Sequence, residues 1–279
     1  MSEWCCVNGK IVKSAKPQIK LTDLGLLRGY AVFDFVKVIK GEPLFWREHL
    51  ARFRRSAKLL GLTVKASDTD LTKVAKQLLV KNKLSKSDGS LRLIMTGGES
   101  SNGMMPSGKS TLAILVEASY NLPEKVFKTG GKLITVDYAR SFPQAKTTNY
   151  LLAVSLQGKK VRSGAVEILY IDQDKILEAS TSNFFLVKNK TLITPKAGVL
   201  PGITRAKVIE LARKAGYKVE EREVKVNELK TADEAFITAT NKDVCPIVKI
   251  DNLKIGNGQV GEVTADLLKR YRVLINRSL

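Results

Sequence analysis

Histidine is almost missing from this chain: 279 residues contain one, His49. That scarcity argues against histidine-built metal centres and against a serine–histidine triad. Cysteine is also sparse, with Cys5 and Cys6 adjacent and Cys245 far away. Neither CxxC pairs nor a disulfide spacing can be drawn from these three, so a reducing, cytoplasmic setting is expected. No apolar run is long enough to span a bilayer. The opening "MSEWCCVNGKIVKS" lacks the charged-then-apolar layout of a secretory signal. No metal is expected.

Positive charge is what the chain has in excess. Lys and Arg total 47 against 27 Asp and Glu, a formal net charge of +20. Such a balance calls for nucleic-acid binding as a rival hypothesis. The basic residues are scattered, however, and many are mixed with acids, as in "ARKAGYKVEEREVKV". No RNP-like, zinc-finger or KH pattern occurs, nor any basic run interleaved with aromatics. A solvated basic surface that attracts anionic metabolites is the preferred reading, and a nucleic-acid partner is not expected.

Along the chain, "CCVNGKIVKS" reads as a hairpin turning at Asn8-Gly9, and "AVFDFVKVIKGEPLFW" as a second one turning at Lys40-Gly41-Glu42. "REHLARFRRSAKLLGL" places Leu50, Phe53, Ala57 and Leu60 at helical spacing. "DTDLTKVAKQLLVKNKL" predicts another helix, capped by Asp68 or Thr69. "SLRLIMTGG" and "STLAILVEASY" read as buried strands, and "SYNLPEK", 119–125, as an interdomain linker. This divides the chain into an N-terminal α/β domain, 1–118, and a C-terminal domain, 126–279. In the second part, "KLITVDYA" is a predicted strand and 147–163 a helix. Strands with tight turns at Asp172–Lys175 and Lys188–Lys190 follow. "TRAKVIELARKAG" is a helix, "DEAFITAT" a strand and "GEVTADLLKRYRVLINRS" a closing helix. The order suggests a mixed α/β (α+β) fold, not repeated βαβ units.

Three segments carry chemistry. Pro201-Gly202 makes a turn from which Ile203 and Thr204 open a helix, where unpaired N–H groups and the helix dipole favour an anion. The bland alternative is that Thr204 is simply an N-cap. Glu178 lies on a strand otherwise small or apolar, where a carboxylate is costly unless it meets a cation; alternatively it faces solvent. Lys146 stands between a proline-containing segment and an apolar run, one lysine among many on numbers alone.

"REHLARFRRSAKLLGL", "AKTTNY", "LEASTSNFF", "VLPGITRAKVIELA" and "DEAFITAT" occur in the order found in class IV aminotransferases. The chain resembles these fold-type-IV, pyridoxal-phosphate-dependent enzymes from about residue 5 to its end. The resemblance implies a smaller N-terminal α/β domain and a larger C-terminal domain with a barrel-like sheet, the cofactor between them, and a homodimer. It implies that Lys146 is the Schiff-base lysine and proton shuttle, and that Glu178 faces the pyridine nitrogen. Arg52 is implied as the phosphate-binding arginine, Ile203, Thr204 and Thr240 as further phosphate contacts, and Leu200 as the residue packing on the ring. The implied reaction moves an amino group between an amino acid and a 2-oxo acid by ping-pong chemistry.

Within the family, Lys146-Thr147-Thr148-Asn149 matches the K-x-x-N spacing of D-amino acid transaminases and aminodeoxychorismate lyases, whereas branched-chain enzymes typically read K-x-x-G-N. "EASTSNFF" and "GQVGEVT" are likewise nearer the D-enzyme pattern. The substrate-carboxylate trap departs from it: Phe33 stands where bacillary D-enzymes have tyrosine, and "MTGGESSNG" lacks their R-x-H pair. Arg28 and Arg92 are the substitutes this sequence offers, although each could be a plain loop or strand-edge charge. The expectation is a D-amino acid transaminase using D-alanine, D-glutamate and 2-oxoglutarate. A branched-chain L-amino acid transaminase and an aminodeoxychorismate lyase, which would eliminate instead of transaminating, are the alternatives.

Overall fold

The computed structural model describes residues 3–17, 19–119 and 121–279. It divides into two compact units, one of Met1–Tyr120, Ala145–Tyr150 and Ser278–Leu279, the other of Asn121–Gln144 and Leu151–Arg277. The expected linker 119–125 includes Tyr120, which lies outside the described residues, and its last two residues already open a short helix. Residues 145–150, expected with the C-terminal part, pack in the first unit.

Among the described residues, the first unit is an antiparallel sheet with three helices, one of them short. Its strands are β1 (Trp4–Val7), β2 (Lys10–Lys13), β3 (Ala31–Ile39), β4 (Glu42–Pro43), β5 (Gly89–Thr96) and β6 (Thr111–Ala118), in the spatial order β2-β1-β6-β5-β3-β4. Between β1 and β2, Asn8 and Gly9 both take positive φ, 49° and 80°, the left-handed pair a two-residue hairpin turn demands. A short helix, α1 (Leu24–Arg28), precedes β3; α2 (Trp46–Leu59) and α3 (Asp68–Lys81) follow β4. Leu50, Phe53 and Ala57 of α2 join Val32, Val36 and Val38 of β3 in one apolar core with α3. The cap of α3 is not Asp68 or Thr69 but Ser67, whose hydroxyl receives the Asp70 N–H while the Asp70 carboxylate receives that of Ser67. That reciprocal box starts the helix one residue earlier than expected.

The second unit begins with α4 (Glu124–Thr129) and β7 (Gly131–Asp137). Two short helices follow, α5 (Leu151–Ser155) and α6 (Gln157–Arg162), where a single helix over 147–163 was expected. Residues 147–150 are withdrawn from it by strand-like pairing: Thr147 bridges Val32, and the Thr148 N–H reaches the Ala31 carbonyl at 3.0 Å. The remaining helix breaks at Leu156, where Ser155 Oγ and Gln157 Nε2 turn back onto the carbonyls of Leu152 and Ala153. The strands β8 (Glu167–Asp172), β9 (Lys175–Ala179), β10 (Asn183–Lys188) and β11 (Thr191–Pro195) run to α7 (Ile203–Lys214). Next come β12 (Val219–Arg222), β13 (Val224–Lys225), β14 (Glu234–Ala239), β15 (Asp243–Ile250), β16 (Leu253–Lys254) and α8 (Glu262–Arg277).

Six of these strands close on themselves. The order β10-β14-β15-β7-β8-β9 returns to β10 through one pairing, Asn183 with Glu178. A single apolar cluster draws on all six: Leu133, Leu169, Ala179, Phe184, Ile237 and Cys245 are among its members. The sheet is therefore barrel-like, and its closing rung carries the carboxylate singled out in the sequence.

Candidate active site

In the first unit, Lys146 is fixed through its backbone. Its carbonyl accepts the Phe33 N–H at 2.8 Å, and its N–H donates to Ser56 Oγ at 3.0 Å. The side chain is 9% exposed and lays its Nζ against the Phe33 ring, 4.7 Å from the centroid. A cation over an aromatic face is favourable, so the ring helps to hold the amine in place.

Helix α2 turns His49, Arg52 and Ser56 inward beside its apolar residues, because positions three and four apart share a face. Arg52 grips Asp34 of β3 bidentately, Nε to Oδ2 at 2.9 Å and Nη2 to Oδ1 at 2.8 Å, and His49 Nδ1 meets Oδ1 at 2.6 Å. All three side chains are buried. Burial alone would raise the Asp34 carboxyl, but the charges and hydrogen bonds of Arg52 and His49 outweigh it and hold it well below the usual range. An ionised acceptor this close requires the hydrogen on His49 Nδ1. Burial then pushes the imidazolium form down, against the pull of Asp34, with Arg52 and Lys146 adding to the decrease. Asp34 occupies Nε and Nη2, so Nη1 is what Arg52 has left for an anion.

Phe33 also stacks with the Arg92 guanidinium, 5.3 Å from its centroid, and Phe35 does so at the same distance. Arg92 donates Nε and Nη2 to the two oxygens of Glu117, at 2.8 and 2.9 Å, keeping Nη1 outside that pair. Arg28 is exposed and donates to the carbonyls of Gly103 and Leu27.

In the second unit, Glu178 sits on the barrel-closing rung, buried. Arg140 brings Nε and Nη2 to its Oε1 at 2.8 and 2.5 Å, and is itself anchored on the Pro143 carbonyl. The Leu200 N–H and Asn183 Nδ2 donate to Oε2 at 3.0 and 3.2 Å, and Asn183 also reaches the Leu200 carbonyl at 2.8 Å. Leu200 is thus tied to the carboxylate by main chain.

Helix α7 starts at Ile203 with Gly202 as N-cap, and no side chain caps it. Thr204 is therefore not an N-cap; its hydroxyl lies 3.3 Å from Tyr271 Oη, buried. A Cβ on Gly202 would come 2.0 Å from Asn183 Oδ1, so only glycine lets the helix start lie this close to the Glu178 cluster. Thr240 opens the β14–β15 turn, half-buried. Two residues earlier, Thr238 is paired with Asn183, so the two side chains share a sheet face. Its Oγ1 has no hydrogen-bond partner among the described residues although the side chain is 1% exposed. A buried hydroxyl left unpaired is costly, and a bound polar group on that face would relieve it.

The ten residues singled out from the sequence thus fall into two sets. Lys146, Arg52, Phe33, Arg28 and Arg92 lie in the first unit; Glu178, Leu200, Ile203, Thr204 and Thr240 lie in the second. Asp34, His49, Ser56, Arg140 and Asn183 escaped the sequence reading. The i, i+3 spacing of His49 and Arg52 inside an apolar helix face was the one available signal. Uncapped helix start, orphaned hydroxyl and arginine-held carboxylate fit the phosphate and ring nitrogen of pyridoxal phosphate, and the buried amine of Lys146 fits its aldehyde.

Residues 31–250 match the family model described as amino-transferase class IV. A putative branched-chain-amino-acid aminotransferase of Methanocaldococcus jannaschii is 33% identical over 277 residues, covering 95% of this chain and 94% of the relative. A D-alanine aminotransferase of Bacillus licheniformis is 29% identical over 264 residues, 93% of each. Among solved structures, a T.th. branched-chain amino acid aminotransferase with pyridoxamine 5′-phosphate superposes with a TM-score of 0.90 at 26% identity, covering 100% of this chain and 96% of that one.

Proposed function

Since the chain belongs to the class IV aminotransferases, we propose that it moves an amino group between a D-amino acid, such as D-alanine or D-glutamate, and a 2-oxo acid such as 2-oxoglutarate. Its cofactor is pyridoxal 5′-phosphate, which supplies, when bound, an electrophilic carbon for amino groups and a ring that takes up the electron pair left by α-proton removal. Lys146 Nζ carries the proton to and from the reacting carbons as base and acid. Glu178 would pair with the ring nitrogen and keep it protonated, with Arg140 and Asn183 fixing the carboxylate's orientation. Arg52, the α7 start at Ile203 and Thr204, and Thr240 hold the phosphate.

The observation that carries the substrate reading is the Phe33 ring, which bears both the Lys146 amine and the Arg92 guanidinium. A substrate that presents its amino group at Lys146 then has a cation for its carboxylate one ring away, with Arg28 as the second. Lys146-Thr147-Thr148-Asn149 and the D-alanine aminotransferase relatives support the D hand. The branched-chain relatives, one at 33% identity, support an L-amino acid alternative with the same residues in the same roles. The protein is read as a cytoplasmic homodimer, and light scattering checks its oligomeric state.

The deciding experiment follows the visible band of the purified holoprotein. D-glutamate should bleach it and L-leucine should not; the reverse order transfers the assignment to the branched-chain class. Borohydride should fix the cofactor on the peptide containing residue 146. Arg28→Ala and Arg92→Ala should each weaken D-glutamate binding by about tenfold, the scale of a charge-assisted hydrogen bond. Unchanged affinity in both would place the carboxylate elsewhere.

A further inference from the structure

One buried ion pair in the second unit has no part in this chemistry. Glu167, at the start of β8, and Lys242, in the β14–β15 turn, meet at 2.6 Å with 3% and 6% exposure. The carboxylate is fully engaged: besides Lys242 it accepts the Thr181 N–H at 3.2 Å, the Thr181 hydroxyl and the Ser182 hydroxyl at 3.0 Å. Lys242 Nζ in turn donates to Thr181 Oγ1 at 2.8 Å and Asn241 Oδ1 at 3.4 Å. Burial would raise the Glu167 carboxyl, yet the Lys242 charge and these hydrogen bonds hold it below its ordinary value.

Such pairs are a weak source of stability, because desolvating both charges offsets most of their attraction, and apolar replacements often fold as well. What this pair does have is location. Thr181 and Ser182 form the tight turn between Glu178 and Asn183, where Ala179 N–H and Ser182 C=O meet at 2.8 Å. Lys242 closes the turn that Thr240 opens, its N–H reaching the Ala239 carbonyl at 3.1 Å. The pair therefore bolts the loop that carries the ring-nitrogen carboxylate to the turn that carries a phosphate hydroxyl.

We propose that Glu167 and Lys242 are positioning residues that set the spacing between Glu178 and Thr240, and so the fit of pyridoxal phosphate along its length. The assignment rests on Glu178 and Thr240 contacting the cofactor as above. Neither charge touches a reacting atom; each acts through the turn it holds. Because the pair is closed and internally satisfied, its effect appears in cofactor affinity and not in proton transfer.

The test removes both charges together, so that neither is left buried alone. Holoprotein is stripped of cofactor, and pyridoxal phosphate is titrated back into wild type and Glu167→Gln/Lys242→Met, with the melting temperature of each apoprotein measured alongside. The double variant should melt near wild type yet bind pyridoxal phosphate about tenfold more weakly, the scale on which residues one layer out act at bound metals. Thr181→Val, an exposed position that cuts only the hydroxyl link, should weaken binding by a smaller factor and remains informative if the double variant does not fold. Lys242→Arg, which keeps the charge, should restore most of the affinity. Wild-type affinity in Thr181→Val or in a folded double variant overturns the proposal, as does a loss of affinity that merely tracks a fall in melting temperature. Bleaching of the wild-type band by D-glutamate is unaffected by any of these results, so the substrate reading stands or falls separately.

Discussion

Each unit holds an arginine–carboxylate pair among its candidate site residues, and the two pairs are wired in opposite senses. In Arg52–Asp34 the carboxylate is the support. Both its oxygens are taken by the guanidinium and one also by His49, which leaves the arginine as the group with a nitrogen to offer. In Arg140–Glu178 the arginine is the support. It places two nitrogens on one oxygen and is tethered to Pro143, while the carboxylate's other oxygen is oriented by Asn183 and Leu200. In the proposed reading, the same two side-chain types thus make an anion seat in one unit and a cation seat in the other.

Opposite wiring predicts opposite mutational signatures. Glu178→Gln should cut turnover by about 10²- to 10⁴-fold, the range of a proton-transfer role, while leaving much of the cofactor bound. Single-turnover bleaching and bound-cofactor stoichiometry separate the two readouts. A Glu178→Gln protein that turns over normally would remove the cation seat from the comparison.

In the first unit the larger effect falls on folding. Asp34→Ala leaves a buried guanidinium unpaired and should cost about 3–5 kcal/mol of stability, measured by urea unfolding of the apoprotein. If the variant were as stable as wild type, Asp34 would not be the support its geometry describes.

How far such pairs can be read from sequence follows from the same contrast. Glu178 stood out as a carboxylate on an otherwise apolar strand, whereas Arg52 was singled out by the family resemblance of its "EHLARF" segment. Their supports were not: Asp34 is brought to Arg52 by the β3–α2 packing, and Arg140 lies 38 residues before Glu178. Lys242 and Glu167 meet only because β8 and the β14–β15 turn belong to one closed barrel. Elements with strong local periodicity, such as the face of Leu50, Phe53 and Ala57, were legible. Strand β15 carries Pro246, a residue disfavoured inside a sheet, yet it is paired with Phe236 within the barrel. The predicted helix over 147–163 was cut short because its first residues pair along the edge of β3, a partner more than a hundred residues away.

The His49 support gives the anion seat a pH signature. Its folded imidazole is depressed below the ordinary 6.5, so the unfolded chain takes up its proton first as pH falls. Stability from this group is complete above about pH 6.5 and is lost as pH drops below it towards the folded value. Asp34 adds its own loss only further down, below the ordinary carboxylate value of 3.8, because its folded carboxyl is lower still. Urea midpoints measured from pH 7 to pH 5 should decline for wild type. His49→Asn, which keeps a donor for Asp34 but cannot titrate, should flatten that slope, and an undiminished slope would assign it to other groups.

The smallest effect sharpens the comparison at the level of helix ends. Helix α3 in the first unit closes its own N-terminus with Ser67 and Asp70, whereas α7 in the second starts at Gly202 with no side-chain cap. A closed end spends its donors on stability; an open one keeps them for a ligand. Ser67→Ala should therefore cost about 1 kcal/mol of apoprotein stability and leave pyridoxal phosphate affinity alone. Thr204→Ala should do the reverse, lowering that affinity by a few-fold while the apoprotein unfolds at nearly the wild-type urea concentration. Should Thr204→Ala destabilise the apoprotein and spare cofactor binding, its hydroxyl would belong to Tyr271 alone and the α7 start would be an ordinary helix end.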